Sequence, residues 1–191
     1  MKKLLVLLCA MLFVFGIVMT ANAVPVQWSI ADGGNGNWYD AISYSSNWEN
    51  AKIDAQSRGG YLATLTSANE NAFVWNNLPY NLYFLGGYQI NRDSEPSGNW
   101  AWVTGEPWNY TNWHPNEPND GVGYPTPHEE YLEFKGITTI GEWNDIYDVT
   151  RDGYIIEYKS NPMSVPDASV MLLLGTSLIG LLGFGRRSKR S

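Results

Sequence analysis

The chain has 191 residues, one cysteine and a formal net charge of −7 at pH 7. Six of its twelve Lys and Arg lie near the two ends, so residues 24–164 carry eighteen acidic against six basic side chains, a formal charge of −12. An acidic surface of this kind repels phosphate, which excludes nucleic acids and anionic lipids as favoured partners.

Residues 1–23 have the three zones of a secretory signal peptide. A basic start precedes an apolar stretch over 4–19, and small residues follow it up to Ala23, after which we expect cleavage. Cys9 lies inside the apolar stretch and follows a leucine, which is not the setting of a lipoprotein cysteine. The exported domain, residues 24–160, is therefore predicted to contain no cysteine and to fold on its apolar core alone.

Two short helices are predicted in the first half of this domain. Each begins at a capping box, a serine followed three residues later by a glutamate, at 46–49 and at 67–70. The first helix is expected to bury Trp48, Ala51 and Ala55, and the second carries Ala72, Phe73 and Trp75. Gly59 and Gly60 end the first helix, and Pro79 ends the second.

Residues 91–142 are dense in Gly, Pro, Asn and Trp. Strand-like patterns are confined to short segments near 100–103 and 131–134. Because long ordered loops in compact domains are usually functional, this segment is the expected location of a binding site.

Two acidic motifs carry the strongest functional signal: Glu-Pro-Asn-Asp at 117–120 and Trp-Asn-Asp at 143–145, with Glu129 and Glu130 between them. Carboxylate and amide oxygens are hard ligands of the kind that calcium prefers. If the peptide before Pro118 is cis, the side chains of Glu117 and Asn119 can project in the same direction, toward one ion. A lone Glu-Pro-Asn is more often an exposed turn, but two such motifs favour a calcium site.

The chain resembles the C-type lectin domain from about residue 38 to residue 158. The landmarks appear in the order of that family: the first helix with Trp48 and Ala51, Gly-Gly-Tyr-Leu-Ala-Thr at 59–64, the second helix, Phe-Leu-Gly-Gly at 84–87, Trp100, Trp102, Gly105, Asn-Trp at 112–113, the two acidic motifs, and a closing strand at 153–158. The resemblance implies an α+β fold with two helices, small antiparallel sheets and a long calcium-binding loop region. Animal members have two disulfides, whereas this chain has Ala55, Ile156 and Tyr131 at matching positions. Apolar packing is expected to replace these bridges.

The resemblance also implies a ligand set. The principal Ca²⁺ ligands, which would also be the carbohydrate-binding residues, are Glu117, Asn119, Glu129, Asn144 and Asp145. In the family, two vicinal sugar hydroxyls complete the calcium shell, and the order Glu-Pro-Asn goes with mannose-type sugars rather than galactose. An auxiliary metal site would use Asp120 and Glu130, with Asp93 or Glu95 as a further ligand. Gln89 stands where an acid is expected, so one calcium ion is predicted.

Two other function classes remain as alternatives. A glycan-active enzyme would need two carboxyl groups across a cleft, and Glu129, Glu130 and Glu133 are the candidates, but calcium accounts for most acids and no nucleophile has a neighbouring base. We therefore predict no enzyme. A protein-binding or ice-binding domain on the same fold is the other alternative. His114 and His128 are interpreted as loop residues rather than zinc ligands, and Trp108 as the most exposed tryptophan.

The end of the chain, residues 161–191, resembles the PEP-CTERM sorting signal of Gram-negative bacteria. Val-Pro-Asp at 165–167 precedes an apolar stretch at 168–184 and a basic tail at 186–190. Seventeen helical residues span about 26 Å, enough for a short membrane anchor. The expected partners are thus a mannose-type glycan or exopolysaccharide, the inner membrane and a processing exosortase. The domain would face the periplasm and later reach the cell surface or matrix. A plain membrane anchor is the alternative.

Overall fold

The computed structural model describes residues 24–79, 82–121, 128–136 and 141–164. The predicted signal peptide, most of the sorting segment and the apolar stretch at 168–184 lie outside these ranges. The elements are β1 (Val26–Gln27), a 3₁₀ turn (Ile30–Asp32), β2 (Trp38–Ser46), α1 (Trp48–Ser57), β3 (Tyr61–Leu62), α2 (Ala68–Asn77), β4 (Phe84–Gln89), β5 (Trp100–Trp102), β6 (Tyr131–Phe134), β7 (Trp143–Ile146) and β8 (Arg151–Tyr158). Within the described ranges, neither helix is long and apolar enough to cross a membrane.

Both predicted helices are present, with small differences at their ends and faces. The cap of α1 is Asn47, whose side chain accepts a hydrogen bond from the Asn50 amide, rather than Ser46, which ends β2. Asparagine caps a helix as well as serine does, so the cap lies one residue later than predicted. Ser67 caps α2 as predicted. On α2, Val74 and Trp75 are buried, Phe73 is partly buried and Ala72 is exposed.

The strands form one connected, mixed sheet rather than several small antiparallel ones. The order is β1-β2-β8-β4-β6-β7, with β3 added to β8 and β5 added to β4. β8 is central because it pairs antiparallel with β2 and β3 and makes a short parallel contact with β4. The helices pack against this sheet and close two buried clusters, one around α1 and one around α2. Ala55 and Ile156, predicted to replace a disulfide, are both fully buried in the α1 cluster.

A group of tryptophans supports the base of the long loop. Trp102 and Trp143 are almost completely buried, and Trp108 packs over both, with ring centroids 4.4 Å and 5.9 Å away. Trp108 is therefore partly buried rather than exposed. The Trp143 indole donates to Asn71 Oδ1 on α2 at 2.8 Å, which fixes the start of β7. The loop ahead of β6 thus lies on a rigid aromatic layer.

Candidate metal centre

The two acidic motifs meet where the loop approaches β7. The backbone amides of Asn119 and Asp120 both donate to Asp145 Oδ2, each at 2.8 Å. Asp145 is fully buried. The Glu117-Pro118 peptide is cis, as the sequence interpretation required, and Asn119 Nδ2 donates to Glu117 Oε2. Glu117, Asn119 and Asp145 therefore lie close together although 26 residues separate the last two.

Glu129 lies on the other side of the loop, near enough for its charge to act on Asp145. The carboxylate oxygens of Glu117, Glu129 and Asp145 do not all lie within 4.8 Å of one another. Glu129 Oε2 accepts a hydrogen bond from the Gly121 amide at 2.9 Å, and the Glu129 amide donates to Asp120 Oδ1 at 2.9 Å. Burial raises the pKa of Glu129, and the charges of Glu117 and Asp120 raise it further. The fold thus concentrates negative charge at this point, which a cation would neutralise.

Asn144 lies on β7 beside Glu133 of β6, its register partner. Its Nδ2 donates to Glu133 Oε1 at 3.1 Å and to its neighbour's backbone carbonyl, that of Asp145, at 2.6 Å. Its Oδ1 accepts from Lys135 Nζ at 3.0 Å. Because the amide is oriented by both donor bonds, Oδ1 points away from Glu133 and toward the loop.

Lys135 is a member of the site that sequence reasoning missed. Its ammonium donates to Glu117 Oε1 as well as to Asn144 Oδ1, so it bridges two of the five predicted ligands. The Glu117 side chain is 4% exposed and that of Lys135 is 34% exposed. The alternation of side chains along a strand could have revealed Lys135, because residues 133 and 135 project from the same face of β6 and its continuation. That face also presents Asn144.

One observation in particular indicates that these ligands fit calcium. Asp145 Oδ1 is buried and has no hydrogen-bond partner. Burial raises the pKa of Asp145 to about 7, and the charge of Glu129 adds to the effect, while the Asp120 amide opposes it. Leaving a buried polar atom without a partner costs about 1–3 kcal/mol. A hard cation at this point would satisfy the oxygen and offset the repulsion, and it would replace Lys135 beside Glu117.

The predicted auxiliary ligands are differently arranged. Glu130 forms an ion pair with Arg92, and Asp93 is exposed. Asp120 contacts His128 and the Glu129 amide. An auxiliary site formed by Asp93, Asp120 and Glu130 stays a prediction.

The glutamates considered for acid–base catalysis lie in three different environments. Glu129 belongs to the candidate metal centre, and Glu130 pairs with Arg92. Glu133, which is 1% exposed, pairs with Arg151 and also accepts from Asn144. The Glu133–Arg151 pair holds β6 and β8 together, which is a structural role.

Comparison with known proteins gives the family. The profile described as "Lectin C-type domain" matches residues 44–125. Lectin BRA-3 of Megabalanus rosa is 30% identical over 136 residues, which cover 69% of this chain and 76% of that protein. Halomucin of Haloquadratum walsbyi is 27% identical over 178 residues, 82% of this chain but only 2% of Halomucin. The C-type carbohydrate-recognition domain of cow CD23, solved in the presence of a GlcNAc2Man3 oligosaccharide, has a TM-score of 0.54 at 22% identity and covers 65% of this chain and 88% of its own. The chain belongs to the C-type lectin domain family.

Proposed function

We propose that this protein binds carbohydrate through a calcium ion held by Glu117, Asn119, Glu129, Asn144 and Asp145. The observation that carries the proposal is the buried Asp145 Oδ1, which lacks a partner where the two acidic motifs meet. The names of the relatives add support, since BRA-3 is a lectin and the CD23 domain was solved with an oligosaccharide.

The residues of the site would orient a sugar as follows. Glu117, Asn119, Glu129, Asn144 and Asp145 would hold the calcium ion, which would supply positive charge to two vicinal hydroxyls of the sugar. Glu117 accepts and Asn119 donates a hydrogen bond, so adjacent hydroxyls meet one acceptor and one donor in a fixed order. Such charge-assisted bonds are stronger than neutral ones. The Glu-then-Asn order supports a preference for mannose-type sugars.

The test is a paired substitution that reverses this order. Glu117→Gln with Asn119→Asp keeps the size of both side chains and the count of one carboxylate. Calcium binding should persist, whereas glycan-array binding should move from mannose-type toward galactose-type sugars. Single-site affinity is expected near millimolar, about −4 kcal/mol, so the glycans must be presented multivalently.

A matched control makes the same chemical change elsewhere. Glu49 and Asn50 are exposed on α1, so Glu49→Gln with Asn50→Asp alters one acid and one amide outside the site. This variant should keep the wild-type sugar profile. An unchanged profile in the 117/119 double variant, or a wild-type protein that ignores every glycan with calcium present, would remove the lectin proposal.

The Lys135 contact favours one alternative, a calcium-independent domain that binds protein or another ligand. An ammonium already neutralises part of Glu117, so the loop has a cation of its own. Running the same array with calcium and then with a chelator separates the two functions, because only the lectin proposal predicts binding that the chelator abolishes.

We further propose that residues 1–23 direct export and that residues 161–191 act as a sorting signal and short anchor. Replacing 165–167 should retain the protein in the inner membrane, and deleting 168–191 should release it into the periplasm. Cell fractionation with an antibody raised against residues 24–160 measures both outcomes. Recovery of the domain from the cytoplasm would contradict the export proposal and leave the sugar proposal untouched.

A further inference from the structure

A cavity of about 200 Å³ lies where the two ends of the described domain meet. It is lined by Val24 and Pro25 at the start of the domain, by three apolar side chains, and by Asp40, Arg58 and Tyr158. Val24 is 70% exposed, whereas Asp40 is 4% exposed. The cavity is therefore open on the side of Val24 and encloses the carboxyl group of Asp40.

The buried acid in this cavity lacks a paired cation. Asp40 Oδ1 accepts from the Ala41 amide at 2.8 Å, but within the described ranges no Lys or Arg forms an ion pair with Asp40. Arg58, the cation in the cavity wall, pairs with Asp54 at 2.8 Å instead. The charge of Arg58 lowers the pKa of Asp40, yet burial outweighs it and raises this pKa to about 6. Because a buried carboxylate without a paired cation is costly, the cavity favours a positive group that can enter it.

Removal of residues 1–23 would create such a group at the open side of the cavity. Cleavage at the predicted position converts the uncharged amide nitrogen of Val24 into an α-amino group, whose pKa in model peptides is about 7.7–8.0, so it is mostly an ammonium at pH 7. The antiparallel register of β1 with β2, continued by one residue, sets Pro25 across from Asp40. The new ammonium is therefore separated by one residue from the position opposite the acid.

We propose that the α-ammonium of Val24, once the signal peptide has been removed, binds Asp40 in this cavity and fastens the start of the domain to β2. The inference rests on the proposed cleavage after Ala23 and is independent of calcium and sugar binding. While residues 1–23 are attached, Val24 has no charge to offer, and Asp40 stays unneutralised. Export would thus add an ion pair that makes the processed domain more stable than its precursor.

Two chains that differ only at their N-termini test the pairing. One begins with a free amine at Val24 and runs to Ser191, and the other retains Asn22 and Ala23 ahead of Val24. The two extra residues move the ammonium by up to about 7 Å along the chain. With both chains in mild detergent, carbon-13 NMR of the Asp40 carboxyl should give a pKa lower by roughly one to three pH units in the chain that begins at Val24. That chain should also have the higher melting temperature at pH 7.

Substitution of the acid separates the ion pair from other effects of the extra residues. Asp40→Asn should remove the difference in melting temperature between the two chains. Asp32→Asn changes an exposed acid of the 3₁₀ turn and should leave this difference as it is in wild type. An equal pKa of Asp40 in the two chains would overturn the pairing, as would a difference in melting temperature that persists in Asp40→Asn.

The cleavage on which the inference rests is measured separately. Mass spectrometry of the protein recovered from the periplasm should give Val24 as its first residue. A different first residue would overturn the proposed cleavage and, with it, the role of the ion pair in the cell. Failure of the NMR titration would instead overturn the pairing with Asp40 and leave the cleavage intact.

Discussion

Two groups of buried acids in this domain illustrate opposite solutions to the same physical problem. Glu70 and Glu157, each at most 2% exposed, lie between the helices and the sheet. Glu157 accepts from Asn37 and Tyr61 on one oxygen and from the Thr64 amide and hydroxyl on the other. Glu70 likewise accepts four hydrogen bonds, from Asn35, Tyr39 and both donors of Thr66.

The loop acids lack such a complete set. Asp145 is as deeply buried as Glu157, yet only one of its oxygens has hydrogen-bond partners. Its neighbour Glu129 adds negative charge instead of a donor. The difference indicates which acids are structural. Where protein donors fill every acceptor position no ion is needed, and where they do not, an oxygen is left that a cation could satisfy.

The largest expected effect comes from breaking the satisfied group. Glu157→Ala leaves the Asn37, Tyr61 and Thr64 donors without their acceptor inside the protein. The free energy of unfolding should fall by about 3 kcal/mol, equally with calcium and with chelator, as measured by urea denaturation. Glu49→Ala on the exposed face of α1 serves as the control and should change stability by less than about 0.5 kcal/mol. If the loss of stability in Glu157→Ala differed between calcium and chelator, the distinction between the hydrogen-bonded acids and the loop acids would be contradicted.

Calcium should stabilise the protein through the loop acids. An ion that binds only the folded state adds about 2.7 kcal/mol at a hundredfold excess over its dissociation constant. Thermal unfolding in calcium and in chelator measures this gain. Asp145→Asn should abolish the gain while changing stability in chelator by less than about 1 kcal/mol, because it also removes repulsion with Glu129. An identical calcium response in wild type and Asp145→Asn would place the ion elsewhere.

Asp40 on β2 provides a third case, a single buried acid with neither a full donor set nor a second acid beside it. Burial raises its pKa from 3.8 to about 6, while the Ala41 amide and Arg58 oppose the shift. Between these values the folded state holds the proton more tightly than the unfolded state, so this group adds stability as pH falls from 6 toward 4 and destabilises the protein at neutral pH. Here a proton, rather than a metal, neutralises the charge.

In a chain that retains residues ahead of Val24, Asp40→Asn should therefore raise the free energy of unfolding at pH 7 by about 2 kcal/mol. The difference from wild type should disappear near pH 4, where Asp40 is protonated in the folded protein. Urea denaturation at several pH values measures the difference directly. A constant difference from pH 4 to pH 7 would show that packing, rather than charge, causes the effect.

Local features of this molecule were predictable from the sequence, and long-range pairings were not. The Ser67 cap and the face of α1 follow from spacing within one helix, and the cis peptide at Pro118 was anticipated from the proline itself. The partial burial of Trp108 could not be predicted locally, because its neighbours come from β5 and β7. The full hydrogen bonding of Glu157 depends on Asn37, 120 residues away, which no local pattern reveals.

The contact of Lys135 with Glu117 was missed for the same reason. It depends both on the pairing of β6 with β7 and on the loop that brings Glu117 back to these strands.

This contact between Lys135 and Glu117 leads to the smallest predicted effect. A bound calcium ion must replace this ammonium, so Lys135→Met should strengthen calcium binding by roughly tenfold, about 1.4 kcal/mol. Titration calorimetry measures the change, with Lys159→Met, an exposed lysine on the ring of Tyr61, as the matched control. Equal affinities in both variants would show that Lys135 does not compete for the site. Calcium binding by Lys135→Met but not by wild type would instead identify Lys135 as a permanent replacement for the metal and favour the calcium-independent alternative.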